Sequence, residues 1–262
     1  MNASGNPAGS GRALSGRLEQ ICAHVAAGER VADIGTDHGF LPIALYERGI
    51  AYSSVLCDLK PGPLEKAADN IRRRLPGAHF DLRLGDGLSP LRAGEADIVV
   101  IAGMGGRLIV KILAADPRLS RSMKKYILQP RNAADVLRGW LLENGFRICD
   151  ESLAAEGRFI CEILVASPCT ASCTAKNGAC AAEASDSPQE RILAESGLHL
   201  EISPMLLRKK DPLLADWLRR KIGIEEKILR CLENAETEKE GKRKTARDRC
   251  AAFRALLETE KC

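Results

Sequence analysis

Two carboxylates and two glycines stand close together in residues 31–42, Val-Ala-Asp-Ile-Gly-Thr-Asp-His-Gly-Phe-Leu-Pro. The apolar residues around Asp33 predict a buried strand that runs into a glycine-bearing turn, and the apolar residues after Pro42 predict a helix. The glycine spacing differs from the dinucleotide signature G-x-G-x-x-G, and Asp33 and Asp37 would repel a pyrophosphate. Such a loop suits a ligand with a positive centre and hydroxyl groups, such as S-adenosylmethionine.

Two further acids end the next predicted strands. Residues 53–58 predict a second strand ending in Asp58. In parallel sheets that bind adenosine-type ligands, a carboxylate at the tip of the second strand accepts hydrogen bonds from both ribose hydroxyls. Residues 79–84 predict a third strand, followed by Gly85-Asp86-Gly87. Asp86 fits either an adenine amino group or an ordinary Asp-Gly turn, and taken alone the turn is the better explanation.

The most apolar predicted strand is 97–101, which favours a central position covered on both faces. It is followed by 102–106, Ala-Gly-Met-Gly-Gly, which we predict as a turn before a helix. Three glycines there allow the backbone to approach a flat ligand closely. Tight packing of the helix against the strand is the alternative explanation.

A sheet is needed to bring these loops together. Strands are predicted at 31–34, 53–58, 79–84, 97–101, 125–128, 146–153 and 159–166. Helices are predicted at 14–27, from 43, at 61–75, from 108 and at 133–143. Because strand and helix alternate five times before an antiparallel finish, the predicted fold class is α/β: a mostly parallel, doubly wound Rossmann-type sheet with an antiparallel last strand.

Two segments do not follow the alternating pattern. Residues 1–12 are rich in Gly, Ser and Ala, which predicts a disordered N-terminus. Residues 167–190 contain Cys169, Cys173 and Cys180 but no Cys-x-x-Cys pair. This composition favours a surface loop over a zinc site, so that no metal is predicted.

Residues 205–262 predict a separate helical domain after a catalytic domain at 13–204. Their apolar residues recur at helical spacing on both sides of a polar bend near 236–241, which is typical of an antiparallel, coiled-coil-like hairpin. The segment holds 16 Lys and Arg against 11 Asp and Glu, although the whole chain carries only +4. A polyanion partner and a solvated helix surface explain this charge equally well. The basic residues that could track a phosphate backbone are Arg219, Arg220, Lys221, Lys242, Arg243, Lys244, Arg247 and Arg249.

No apolar stretch approaches the roughly 20 residues of a membrane span, and the N-terminus lacks the layout of a secretion signal. We therefore expect a cytoplasmic protein that does not contact membranes. Its ten cysteines are scattered along a chain large enough to fold without disulfides, so reduced thiols are expected.

Taken together, the loops resemble those of the bacterial tRNA (adenine-22 N1)-methyltransferase family. The segments that carry the resemblance are 31–42, Gly-Asp-Gly-Leu at 85–88, Ile-Ala-Gly-Met-Gly-Gly at 101–106, Leu-Gln-Pro at 128–130, the Glu-Gly-Arg hairpin with Glu162, and Ser-Pro-Met-Leu-Leu at 203–207. The resemblance implies a Rossmann-type domain with a C-terminal coiled coil, S-adenosyl-L-methionine as cofactor, and methylation of N1 of a D-loop adenine. It also implies tRNA as the partner, and we expect a monomer.

The resemblance also implies roles for individual residues. Asp33, Gly35, Asp37 and His38 would line the methionine end of the cofactor, with His38 ordering the loop rather than acting as an acid or base. Asp58 would hold the ribose, and Asp86 with Gly87 would hold the adenine ring. Gly103, Met104 and Gly105 would form the floor under the target base, which makes Met104 and Asp33 the candidate catalytic residues. Asp33 is the candidate proton acceptor.

The chain departs from the family pattern in three places. The 167–190 loop is longer than expected, Cys161 precedes Glu162 where an aromatic residue is expected, and Cys57 precedes Asp58 where a glycine is usual. Two other functions remain open from the sequence: a methyltransferase with a different RNA, protein or small-molecule substrate, and a non-enzymatic adaptor that binds the cofactor or RNA.

Overall fold

The computed structural model describes residues 14–169, 187–232 and 240–260. In these ranges the strands are β1 (Val31–Ile34), β2 (Ser54–Asp58), β3 (Asp81–Leu84), β4 (Ile98–Met104), β5 (Lys125–Pro130), β6 (Phe146–Glu156) and β7 (Phe159–Pro168). The helices are α1 (Gly16–Ala23), α2 (Phe40–Glu47), α3 (Pro61–Arg74), α4 (Gly106–Ala115), α5 (Pro117–Ser122), α6 (Ala134–Glu143), α7 (Pro188–Ser196), α8 (Pro204–Lys209), α9 (Leu214–Leu232) and α10 (Glu240–Thr259).

The strands form one sheet in the order β3-β2-β1-β4-β5-β7-β6. Strands β1 to β5 lie parallel, and β7 runs antiparallel to both of its neighbours. Ile34 pairs with Cys57 of β2 and with Ile101 of β4, so these strands reach the carboxyl edge of the sheet at the same level. The predicted α/β class, with its antiparallel last strand, is confirmed.

Helices cover both faces of the sheet. On one face, the side chains of β4 and β5 pack with α4 and α6 around Tyr126 and Phe146, whose rings meet edge to face. On the other face, Ile98 and Val100 of β4 pack with α1 and α2. Because successive residues of β4 enter opposite cores, an uninterrupted apolar sequence is what this central strand requires.

The structure differs from the sequence predictions mainly at the ends of elements. Strand β4 continues through Met104 instead of ending at Ile101, and β5 continues to Pro130, because Met104 pairs with Pro130 across an irregularity in the ladder. Helix α1 ends at Ala23, short of the predicted 27. Helix α5 has no counterpart among the predictions; it begins at a proline and is capped by the carboxylate of the preceding residue.

The predicted 167–190 loop is shorter at both ends, because Pro168 belongs to β7 and α7 begins at Pro188. Residues 170–186, which contain Cys173 and Cys180, lie outside the described residues. The N-terminal segment 1–12 also lies outside them. So do residues 233–239, which include most of the polar bend predicted near 236–241. Those expectations therefore stay predictions.

The C-terminal helices enclose a core of their own. Leu193 of α7 and Leu206 of α8 are buried together with Trp217 of α9 and Phe253 of α10. Helices α9 and α10 run antiparallel, since Arg243 bonds to the backbone of Leu232 while the later residues of α10 meet earlier residues of α9. Helices α7 and α8 were not predicted from the sequence. Helix α7 precedes residue 205 and α8 spans it, yet both share this core, and the division of the chain at 204/205 stays a prediction.

A buried ion network ties the helical region to the sheet. The Arg138 guanidinium of α6 lies 2.7 Å from Glu151 of β6 and 2.7 Å from Glu162 of β7. It also donates to the carbonyl of Leu200, 3.0 Å away, in the segment between α7 and α8. Since the side chain of Arg138 is only 3% exposed, this guanidinium is held entirely by protein groups.

The basic residues predicted as phosphate contacts fall into two groups. The exposed ones on α9 and α10 are Arg219, Arg220, Lys242, Lys244 and Arg247. The partly buried ones are Lys221, Arg243 and Arg249. Arg249 instead faces inward, where it bonds to Glu201 and, at 2.7 Å, to Glu225 of α9, so its prediction as an outward contact is wrong. Among the described helices, none combines the length and apolar character needed to cross a bilayer.

Candidate active site

The first loop at the carboxyl edge, after β1, folds over β2 and against β4. The backbone N–H groups of Gly35 and Thr36 donate to the Cys57 carbonyl, at 2.8 and 3.1 Å. Gly35 has a φ of +74°, and a Cβ built on it would lie 2.1 Å from the terminal methyl group of Met104. The positive φ therefore favours a glycine here, whereas the end of the flexible Met104 side chain could move aside. The same contact brings two predicted site residues, Gly35 and Met104, together.

Asp33 is the buried acid of the site, with 8% of its surface exposed. Burial raises the pKa of its carboxyl to about 6. A hydrogen bond from Thr36 and the charge of Arg17 oppose this rise, while the charges of Asp58 and Asp37 add to it. The Thr36 hydroxyl beside it is buried.

Asp37 and His38 lie at the outer end of this loop. The Asp37 side chain is 83% exposed, and its Oδ1 lies 3.2 Å from Nε2 of His38. The His38 ring stacks on Phe40 at 5.3 Å, and its carbonyl accepts a hydrogen bond from Asn70 of α3. His38 also has a φ of +61°, which is uncommon for a residue with a side chain. Because ring and backbone are both held, these contacts favour a role in ordering the loop.

Asp58 ends β2 and points its carboxylate along the same edge, where it accepts the Lys60 N–H at 2.8 Å. The Gly85 N–H donates to the Asp58 carbonyl at 2.9 Å, which joins the loops after β2 and β3. Asp86 is exposed beyond this joint. Gly87 packs against Ile112 of α4, since a Cβ there would lie 2.9 Å from Ile112 Cγ2.

Two leucines complete this part of the edge and were not predicted as site residues. Leu59, after β2, and Leu84, at the end of β3, are each 61% exposed. Because Leu84 pairs with Asp58, the two apolar side chains flank the carboxylate. Exposed large apolar side chains beside an acid offer a surface for a flat ring. No local sequence signal separates them from ordinary strand residues.

The end of β4 is a strand with a bulge rather than the predicted turn over 102–106. Gly103 has a φ of +75°, and its N–H donates to Oε1 of Gln129 at 3.0 Å. The Met104 carbonyl accepts the Arg131 N–H at 2.7 Å. These bonds fix the backbone of Gly103 and Met104 at the rim, next to the β1 loop.

Arg17 and Gln129 support this rim and were not assigned roles from the sequence. Arg17 Nη1 lies 3.4 Å from Oε1 of Gln129 and 3.9 Å from the position that a Cβ on Gly103 would take. Gln129 is only 1% exposed and donates to the Pro130 carbonyl. A buried amide inside the apolar sequence of β5 is the signal that could have marked Gln129 as part of the site.

Gly106 packs the start of α4 tightly against the loop between β5 and α6, rather than against a strand as the alternative explanation had it. A Cβ there would lie 2.2 Å from the Ala133 carbonyl oxygen, which is backbone and cannot move away like a side chain. We expect Gly106→Ala to lower the free energy of unfolding by about 1–3 kcal/mol, measured by urea denaturation. Gly62→Ala on α3 is the matched control, because nothing lies within 4 Å of its Cβ position. An unchanged midpoint for Gly106→Ala would contradict the expectation.

A sheet of this strand order, with β7 antiparallel and acid- and glycine-bearing loops gathered at its carboxyl edge, defines a Rossmann-type methyltransferase. Residues 14–164 match the family model described as a methyltransferase domain. This chain belongs to that family.

Individual relatives agree with the family assignment. The chain is 35% identical over 153 residues to the tRNA (adenine(22)-N(1))-methyltransferase of Bacillus subtilis, an alignment that covers 58% of this chain and 64% of the relative. The crystal structure of the B. subtilis M1A22 tRNA methyltransferase superposes with a TM-score of 0.73 and 27% identity, covering 94% of this chain and 99% of the other. A Streptococcus pneumoniae protein, described as a candidate tRNA (m1A22) methyltransferase and crystallised with S-adenosyl-L-methionine, gives a TM-score of 0.74 and 27% identity over 94% and 100%.

Proposed function

We propose that this protein uses S-adenosyl-L-methionine to methylate N1 of adenine 22 in the D-loop of bacterial tRNA. The observation that carries the proposal is the shared rim formed by Asp33, Gly35, Asp58 and Met104 at the carboxyl edge of the sheet. The names of the relatives support the substrate, and the cofactor bound to the Streptococcus pneumoniae relative supports the cofactor.

The residues at the rim fit this cofactor. A buried carboxylate, Asp33, suits a ligand with a positive centre, and Asp58 offers a second carboxylate for hydroxyl groups. The exposed leucines 59 and 84 suit a flat purine between the β2 and β3 tips. The buried Thr36 hydroxyl supplies a further polar group beside Asp33 in the same loop.

Bound S-adenosyl-L-methionine would supply an electrophilic methyl group. In the proposed reaction the chain contributes mainly positioning, because N1 of adenine is already a nucleophile. The fixed backbone of Gly103 and Met104 forms the floor for the base, while the Asp33 carboxylate offsets positive charge and can accept a proton from the exocyclic amine. Asp37 and His38 order the loop, and Asp86 with Gly87 borders the purine.

The partner surface follows from the same proposal. The target base has to leave its stack, at a cost of a few kcal/mol, and we assign the compensating contacts to exposed cations of α9 and α10 such as Lys242 and Lys244. A tRNA substrate places the protein in the cytoplasm, and a monomer is consistent with one accessible rim per chain.

Nucleoside mass analysis tests the proposal directly. The protein is incubated with S-adenosyl-L-methionine and unmodified tRNA, and we expect 1-methyladenosine in the digested product. The matched control is the same tRNA with adenine 22 changed to guanine, which should yield none. Product on other RNAs only would favour a different substrate, and cofactor binding without any product would favour an adaptor.

A further inference from the structure

The β6–β7 hairpin rises above the rim of the site. Leu128 of β5 pairs with Leu164 of β7, so β5 ends at Pro130 level with position 162. Strand β7 begins three residues earlier, at Phe159, which pairs with Glu156 of β6. At roughly 3.3 Å per residue, the tip stands about 10 Å beyond the end of β5. The tip therefore stands above the carboxyl edge at which the site loops lie.

The hairpin tip lies on the same face as the floor of the site. Phe159 and Glu156 are directly paired across the two strands, so their side chains share a face. The Glu156 carboxylate lies 3.7 Å from the Arg17 guanidinium, which also reaches Gln129 beside Gly103. A continuous line of contacts therefore connects the tip to the rim.

The tip presents an aromatic ring together with a cation. Phe159 is 59% exposed, although its ring would be expected inside the protein. The guanidinium of Arg158 lies 5.0 Å from the ring centroid, and Arg220 of α9 donates a hydrogen bond to the Arg158 carbonyl. Because α9 holds the backbone of the tip, the ring is presented in a fixed place.

We propose that Phe159 stacks on an unpaired base that flanks the target adenine in the RNA substrate, while Arg158 contacts the adjoining phosphate. The inference rests on the proposed function and names the residues that contact the RNA next to the target adenine. Stacking on an exposed aromatic ring is how proteins hold unpaired bases, and a neighbouring arginine supplies the charge that RNA requires. In the sheet order, β4 and β5 lie between β7 and the cofactor loops after β1 and β2, so we expect the contribution of the ring to be confined to the RNA.

The test compares Phe159→Ala and Phe159→Trp with the full-length wild type. We expect Phe159→Ala to lower kcat/KM for tRNA about tenfold or more and to weaken tRNA binding, measured by fluorescence anisotropy. Affinity for S-adenosyl-L-methionine, measured by titration calorimetry, should not change. The Trp variant should stay within threefold of the wild type, because it keeps a stacking surface. Tyr52→Ala is the matched control: that ring is 68% exposed, but it precedes β2 at the opposite edge of the sheet.

A fluorescent base separates stacking from a structural effect. With 2-aminopurine placed beside the target adenine, wild type and Phe159→Trp should quench its emission on binding, and Phe159→Ala should not. If the wild type methylates tRNA but Phe159→Ala binds and reacts as well as it does, the stacking role is overturned and the proposed function stands. If the wild type forms no product, the proposed function fails, and equal tRNA affinity of the two proteins would then overturn the stacking role as well. If Phe159→Ala weakened the binding of a protein partner and left tRNA binding unchanged, the stacking role would also be overturned.

Discussion

Asp33→Asn is expected to weaken cofactor binding and to slow methyl transfer by 100-fold or more, while making the protein itself more stable. Asp33 is buried, and burial raises the pKa of its carboxyl from 3.8 to about 6. At neutral pH the ionised side chain therefore costs the folded state about 3 kcal/mol, since one pKa unit corresponds to about 1.4 kcal/mol. An asparagine of the same shape removes this charge together with the attraction for a sulfonium.

The sign of the pH dependence follows from the raised pKa. The folded state holds the proton more tightly than the unfolded chain does, so the contribution of Asp33 to stability is complete below about pH 4 and is lost as the pH rises through about 6. The gain from Asp33→Asn should accordingly be large at pH 7.5 and small at pH 4. Urea denaturation of both proteins across this range measures the difference.

Cofactor affinity should show the opposite trend with pH. A positive ligand favours the ionised carboxyl, so wild-type affinity for S-adenosyl-L-methionine is expected to rise between pH 5 and 7 and then level off. Titration calorimetry at several pH values checks this trend.

Asp97→Asn provides the matched control for Asp33→Asn. Asp97 lies before β4 at the amino edge of the sheet, where hydrogen bonds from Arg30 and Lys124 hold its pKa well below the usual range. Removing this carboxylate should destabilise the protein and leave cofactor affinity unchanged. If Asp33→Asn also destabilised the protein, or still bound the cofactor, the role assigned to Asp33 would be wrong.

The sequence was informative where local chemistry determines structure. Glycines and acids at strand ends identify turns, so the sequence alone assigns Asp33, Gly35 and Asp58 to one edge of a parallel sheet. Their contacts required the fold: only strand pairing brings the Met104 methyl group over Gly35. Arg17 lies more than a hundred residues from Gln129 in the chain, and no local pattern predicts that they meet.

Charged residues were the least predictable. In the sequence, Arg138 and Arg249 fall in amphipathic helices whose polar positions ordinarily face water. Both are instead turned inward, because carboxylates from other elements surround them. Helices α7 and α8 were missed for a related reason. Each is short, and its few apolar residues form a core only by packing against α9 and α10.

Arg138→Met is expected to lower the free energy of unfolding by about 3–5 kcal/mol. The variant leaves the Glu151 carboxylate, only 3% exposed, without its cation. The partly buried Glu162 keeps only the more distant Lys221, 3.9 Å away. It also removes a donor from the Leu200 carbonyl and so loosens the helical region from the sheet. Urea denaturation at pH 7.5 measures the change.

The comparison of single and combined variants shows why the loss occurs. Burial raises the pKa of Glu151, so protonation relieves its unpaired charge, and the Arg138→Met loss should shrink toward pH 5. Combining Arg138→Met with Glu151→Leu and Glu162→Leu should recover much of the stability, because an apolar cluster of similar volume replaces the ions. Arg74→Met, at the more exposed pair with Glu47, is the matched control and should cost about 1 kcal/mol or less. Equal losses at Arg74 and Arg138, or no recovery in the combined variant, would show that uncompensated buried charge is not the cause. The network would then link the helical region to the sheet through packing alone.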